Sequence, residues 1–338
     1  MVAEHLTNGF RSESGIHEIT AHSQILRECH LNYEQLSTGR FEGSLKELWL
    51  EGIQIYEESL SRSVFQYGES RKNSLSFSVF NQLDSEARWL GKPIQKDDVS
   101  WCGFQEELML QTPENCSLFV VSVPEELLSD LTDSPYPKVG ALTNKTLVQG
   151  FKHEFNSILS NMNQHSLLFN QPAAIKQFKS DIRELVMLLF QAQEKSPEKR
   201  NISRQKAQQI VCQARKIVLE HPETPLNVDE LCKITYTSRR ALQNCFLRVT
   251  GQSPATFLKN IRLNAVRRSM LNDPHDNICN IASQWGFWHL SQFTCDYKRL
   301  FGELPSQTLS ALRLTHKTRQ SSHTKRSRLT SSVDNTLI

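Results

Sequence analysis

The sequence predicts an α+β chain: a small N-terminal β-barrel of cupin-like or jelly-roll type with flanking helices, then an all-α C-terminal domain of two helix-turn-helix units joined by a connector helix. Three observations predict it. Apolar residues alternate with period two through SLSFSVF, where Leu75, Phe77 and Val79 interleave with serines, giving one buried face and one wet face. From about residue 145 onward the apolar period is helical. The C-terminal third also repeats itself. Leu242, Phe246, Gly251 and Pro254 recur 51 residues later as Phe293, Tyr297, Gly302 and Pro305, and Leu231 and Cys232 recur 50 residues later as Ile281 and Ala282.

Residues 1–30 read as an N-terminal segment and 31–130 as the barrel, the sensing domain for a small-molecule effector. Its expected strands are LKELWL, GIQIYEE, SLSFSVF, ELMLQT and CSLFVVSV, with turns in STGRFEGS, GKPIQKDD and TPENC. Trp49, Trp89, Trp101, Phe65 and Phe104, with Arg40 or Glu106, are pocket candidates; aromatic residues in strands are more often ordinary core, and no residue is assigned to a ligand. Residues 145–192 form a helical segment. Phe151, Phe155, Ile158 and Leu159 share one face of its first helix, and Ile175, Phe178, Ile182, Leu185, Val186 and Leu189 one face of its second. Such stripes pack on the barrel wall or join two subunits. The polar stretch 193–208 is a linker, and 314–338 a disordered basic tail too poor in apolar residues to fold alone.

Each repeat copy within 209–313 reads as a short helix, a tight turn and a longer helix, with Cys232 or Ala282 small enough to let the second helix cross the first. Ser253 caps a connector helix over 254–272 that has proline at its first position. At 1.5 Å per residue it spans about 28 Å, close to the roughly 34 Å between successive major-groove faces. Outward positions of the first long helix are Arg239, Arg240, Gln243 and Asn244, with Arg248 further on; those of the second are His289, Ser291, Gln292, Thr294, Lys298 and Arg299, with Cys295 among them. Arginine binds guanine bidentately, and asparagine or glutamine binds adenine in the same manner, so this composition suits a major groove. Arg262, Arg267 and Arg268 on the connector are candidates for phosphate contacts. Asp296 has to point away from phosphate or pair with a basic neighbour.

Charge agrees with a polyanionic partner. Residues 204–338 hold 20 Lys and Arg against 9 Asp and Glu, a net +11, whereas the rest of the chain is net −8. The eight cysteines form no Cys-x-x-Cys pair, no histidine lies between His30 and His153, and no Gly-rich phosphate loop occurs. Neither catalytic residues nor a metal site are expected, and no cofactor is required. The N-terminus lacks a leader pattern, and no apolar run approaches the roughly 18 residues of a membrane span. The expected location is cytoplasmic.

GFWHLSQFTCDYKRLFGELPS resembles the signature of the AraC/XylS family of transcription regulators. SRRALQNCF, IRLNAVRR and QWGFWHLSQF are especially similar to its ethanolamine-operon subgroup, while FEGSLKELWLEGIQIYEE resembles that subgroup more faintly. The resemblance implies a homodimer on double-stranded promoter DNA, activation through contact with RNA polymerase, and a small-molecule effector, with ethanolamine and cobalamin suggested weakly. It also implies base reading by Arg240, Gln243 and Asn244, and by Leu290, Ser291, Gln292, Thr294 and Cys295. Two departures stand out. Tyr236 occupies a turn position where the family usually has glycine, so the first turn has another geometry or accepts strain. Leu290 and Cys295 stand where polar or basic residues are common, which favours shape or phosphate contacts for the second unit. The alternative reading is an architectural protein that binds DNA without sequence preference.

Overall fold

The computed structural model describes residues 8–103, 106–129, 139–165, 171–194 and 202–314. The N-terminal part runs β1 (Gly9–Ile16), α1 (Ile19–Gln24), β2 (His30–Gln35), β3 (Gly43–Leu50), β4 (Ile53–Leu60), β5 (Val64–Glu69), β6 (Ser74–Gln82), β7 (Ala87–Trp89), β8 (Lys92–Ile94), β9 (Asp98–Gly103), β10 (Glu107–Gln111), β11 (Cys116–Pro124) and β12 (Val139–Thr143). These strands form two antiparallel sheets, ordered β1-β3-β4-β11-β6-β9-β12 and β2-β5-β10-β7-β8. The expected barrel is thus an open pair of sheets with edges, not a closed cylinder. Leu45, Tyr56 and Leu118 of the larger sheet share a core with Val64, Trp89 and Leu110 of the smaller one.

The larger sheet is buried on both faces along its central strands. Leu48, Ile55, Phe77, Val79, Phe119 and Val121 point outward into a second core made with α2 (Lys145–His165) and α3 (Pro172–Glu194). The stripes Phe151, Phe155, Ile158, Leu159 and Phe178, Ile182, Val186, Leu189 are all consumed there, so they cover the wall of the sheet. The alternation in SLSFSVF therefore has a different meaning from the expected wet face. Ser76 and Ser78 face the space between the sheets and hydrogen-bond Ser122 and Ser100 at 2.8 and 2.7 Å. Strands with both faces buried read as short apolar runs or as no pattern at all. DVSWCG is buried at every residue, which is why β9 escaped the sequence reading; β1, β2, β5, β7 and β12 were also not among the expected strands. GKPIQKDD, expected as a turn, contains β8.

The C-terminal part is α4 (Ile202–Glu220), α5 (Val228–Ile234), α6 (Arg239–Thr250), α7 (Pro254–Asn272), α8 (Ile278–Gln284) and α9 (Leu290–Phe301), with a last helix from 305 to 314. Helix α4 begins inside the stretch expected as linker and packs Ile210, Val211, Ala214 and Val218 against α6 and α7. The expected tail, beyond 314, lies outside the described residues.

The two parts meet along a broad seam. Leu36, Phe65 and Met109 of the smaller sheet join the core of α4, α6 and α7, and Phe65 meets Phe257 edge-on at 5.2 Å. Strand β2 is the edge of that sheet, and α7 covers it with side-chain amides. Asn264 accepts from the Gln35 backbone N–H and donates to its carbonyl, both at 3.0 Å, and Asn260 and Gln252 donate to the Leu36 carbonyl. Buried backbone groups need such partners, and here a helix supplies what a neighbouring strand would otherwise give.

Candidate nucleic-acid interface

Local chemistry sets the two units. Asn227 caps α5 in a capping box with Glu230, Ser238 caps α6, and Asn277 caps α8. Helices α6 and α9 both end at a glycine with φ of 71°, Gly251 and Gly302, the left-handed closure that glycine adopts without strain. Leu242, Phe246, Phe293 and Tyr297 are wholly buried, as their repeat spacing requires. The closing bonds of the turns also match. Thr237 N–H donates to the Cys232 carbonyl and Phe287 N–H to that of Ala282, each at 2.9 Å. Tyr236 adopts φ of 49° where Gly286 has 74°, so the first turn keeps the common geometry and accepts the strain. Its side chain is 94 % exposed.

On the first unit Arg239, Arg240, Gln243, Asn244 and Arg248 are exposed. Arg239 lies 3.9 Å from Asp229 and Arg248 donates to Ser203, whereas Arg240, Gln243 and Asn244 hydrogen-bond no other described side chain. On the second unit His289, Leu290, Ser291, Gln292, Cys295, Lys298 and Arg299 are exposed and Thr294 is half-buried. His289 occupies the cap position of α9 but makes no side-chain capping bond. Asp296 is turned inward, 3.0 Å from the Lys259 ammonium and 4.0 Å from Arg299, which removes the expected repulsion.

Two of the three connector arginines are engaged by carboxylates of the N-terminal part. Arg262 is half-buried, its guanidinium 5.3 Å from the Phe287 ring centre, and burial lowers its pKa. Arg267 is buried; desolvation works against its charge, yet Glu18, Tyr297 and Glu303 outweigh that and hold the pKa above its ordinary value. Arg268 donates at 2.8 Å to Glu34, a wholly buried carboxylate of β2. Arg215 of α4 stacks on Tyr67 nearby, and burial brings its pKa down to about 10. With the sheets seated against α7, Arg267 and Arg268 serve the seam. Asn260, Asn264 and Gln252, which make the seam, escaped sequence reading; their signal was the 260/264 spacing, which sets two amides on one helical face.

Of the pocket candidates, Trp101 points into the core under α2 and α3, Phe65 into the seam, and Trp49 is buried with its Nε1 unpaired; Phe104 lies outside the described residues. Trp89 borders a cavity of about 30 Å³ between the sheets, with Tyr56, Gln66, Ser76, Ser78 and Ser122. That is room for about one water. Arg40 lines a larger cleft of about 310 Å³ at the domain junction, with His17, Gln35, Glu42, Arg267 and Glu303; Glu106 borders another surface cleft. Among the described residues no three His, Cys, Asp or Glu gather as a metal site requires, and no helix is long and apolar enough to cross a membrane.

Residues 231–311 match the family described as "Helix-turn-helix domain". The XylDLEGF operon transcriptional activator of Pseudomonas putida is 37% identical over 93 residues, 27% of this chain and 29% of that protein. The probable thc operon regulatory protein of Rhodococcus erythropolis is 36% identical over 91 residues, 26% of this chain and 27% of its own length. Likeness to these relatives is thus confined to under a third of their length. Among solved structures, the AraC-like transcriptional activator CuxR aligns over 82% of this chain and 100% of its own, with 13% identity and a TM-score of 0.42. A probable AraC family regulator from Rhodopseudomonas palustris aligns over 31% and 97%, with 30% identity and a TM-score of 0.28. The C-terminal domain is a helix-turn-helix DNA-binding domain.

Proposed function

We propose that the chain is a sequence-specific transcription regulator of the AraC/XylS type that binds promoter DNA through both units. The observation carrying this is the duplicated turn, with an asparagine cap on each short helix and a left-handed glycine closing each long one, and with Arg240, Gln243 and Asn244 exposed and unengaged. Arginine with amides on one helical face is the equipment of major-groove reading. In this reading the chain works as a cytoplasmic homodimer, activates by touching RNA polymerase, and responds to a small effector held by the paired sheets. The ethanolamine-operon subgroup gains no support from the relatives named above, which regulate other operons, and the effector is left open. The inner cavity of about 30 Å³ is filled by its own side chains, so such a molecule needs either an opening of the sheets or a cleft that the sheets share with the helices, such as the one of about 310 Å³ lined by Arg40.

An effector acts by preferring one arrangement of the two domains. The seam is where such a preference would be felt, because β2, α7 and the Gly39–Leu300 backbone bond tie the sheets to both units. The architectural alternative is separated by competition: with a duplex selected from a random library as probe, a hundredfold excess of unrelated duplex at about 0.15 M salt leaves a regulator bound. It strips an architectural binder completely.

A further inference from the structure

The two units present unlike faces, and the difference goes beyond the proposed function while resting on it. On α9 two of the outward hydrogen-bonding groups are engaged within the helix. Gln292 donates its amide to Asp296 at 3.2 Å, and the Thr294 hydroxyl returns to the Leu290 carbonyl at 2.8 Å, leaving the methyl as its free group. Alongside exposed His289 and Ser291, the tip also presents apolar groups. Leu290 is 38 % exposed, Cys295 is exposed, and Trp288 is 64 % exposed. Trp288 also has no counterpart in the first unit. The matched bonds at Thr237 and Phe287 fix the alignment of the turns, and the helix then starts one residue later in the second copy; Trp288 is that extra residue.

An exposed indole and isobutyl group at the start of a helix that carries Lys298 in its last turn suit a polyanion that also offers apolar contacts. In a major groove only thymine supplies one, its C5 methyl. We infer that the second unit selects its half-site by packing Trp288 and Leu290 against thymine methyl groups, while the first unit reads hydrogen-bonding edges through Arg240, Gln243 and Asn244. The two halves of the site then differ in chemistry: one defined by donors and acceptors, the other by methyl positions.

Replacing thymine with deoxyuridine deletes the methyl and nothing else. Using the full-length chain and a duplex selected from a random 40-bp library, each thymine under the footprint is replaced in turn. One or two substitutions under the second unit are expected to weaken binding about fourfold each, the factor associated with burying one methyl-sized group. The double variant Trp288→Ala/Leu290→Ala is expected to bind thymine and deoxyuridine duplexes equally at those positions. Wild-type binding that ignores every deoxyuridine under the second unit, with the selected duplex still preferred over unrelated DNA, overturns the inference and points to a protein surface as the tip's partner. Absence of any preference for the selected duplex overturns the regulator reading first, and this inference with it.

Discussion

Tyr236 carries a left-handed backbone on a side chain that buries almost nothing. A non-glycine residue there costs about 1–2 kcal/mol, so Tyr236→Gly is expected to stabilise the chain by about 1 kcal/mol in urea unfolding, glycine's greater unfolded freedom offsetting part of the gain. An unchanged or lower midpoint at constant slope contradicts the strain. The thiols give a second residue-scale test. Burial pushes Cys29, Cys102, Cys116 and Cys212 up to about 12 from an ordinary 9.0, so they are poor nucleophiles. Iodoacetamide at pH 8 should label exposed Cys279 and Cys295 first, as read by mass spectrometry. Because the unfolded thiols lose protons first, their contribution to stability is complete below pH 9 and declines between 9 and about 12.

At the scale of elements, α7 was the most legible in sequence and the least legible in role. Its cap, its proline and its ends at 254 and 272 stood in the residue order, because capping is local chemistry. What its arginines touch was not, because Glu18 and Glu34 come from the far end of the chain. Arg268→Ala therefore acts on stability before it acts on DNA. It strips the 2.8 Å partner from a wholly buried carboxylate and is expected to cost about 3 kcal/mol, measured by denaturant unfolding. A variant of wild-type stability whose only defect is a shallower salt dependence of DNA binding would return Arg268 to the phosphates. The strands divide in the same way. Those with period two or long apolar runs were readable, while β5, β9 and β12 depend on neighbours that only the sheets bring together.

Across the whole molecule, the repeat and the split of charge were visible without any structure, and with them the longer helix of each unit and its exposed residues. The seam was not, since it joins an edge strand to a helix some 230 positions away through amides that look unremarkable in order. Asn264→Ala removes the partner of both Gln35 backbone groups and is expected to speed amide hydrogen exchange at 31–36 well before global unfolding. Exchange there as slow as in the wild type would show that the seam holds without the Asn264 bonds.

Base reading by the first unit is the claim on which the proposed regulator most depends. Binding of the full-length chain and of Gln243→Ala/Asn244→Ala to a selected duplex, and to single-base variants of it, at about 0.15 M salt tests that claim directly. The double variant should lose discrimination by about tenfold or more at two or more positions, each good bidentate pair being worth about 1–3 kcal/mol, with affinity for unrelated duplex nearly unchanged. Equal weakening on every duplex would contradict it.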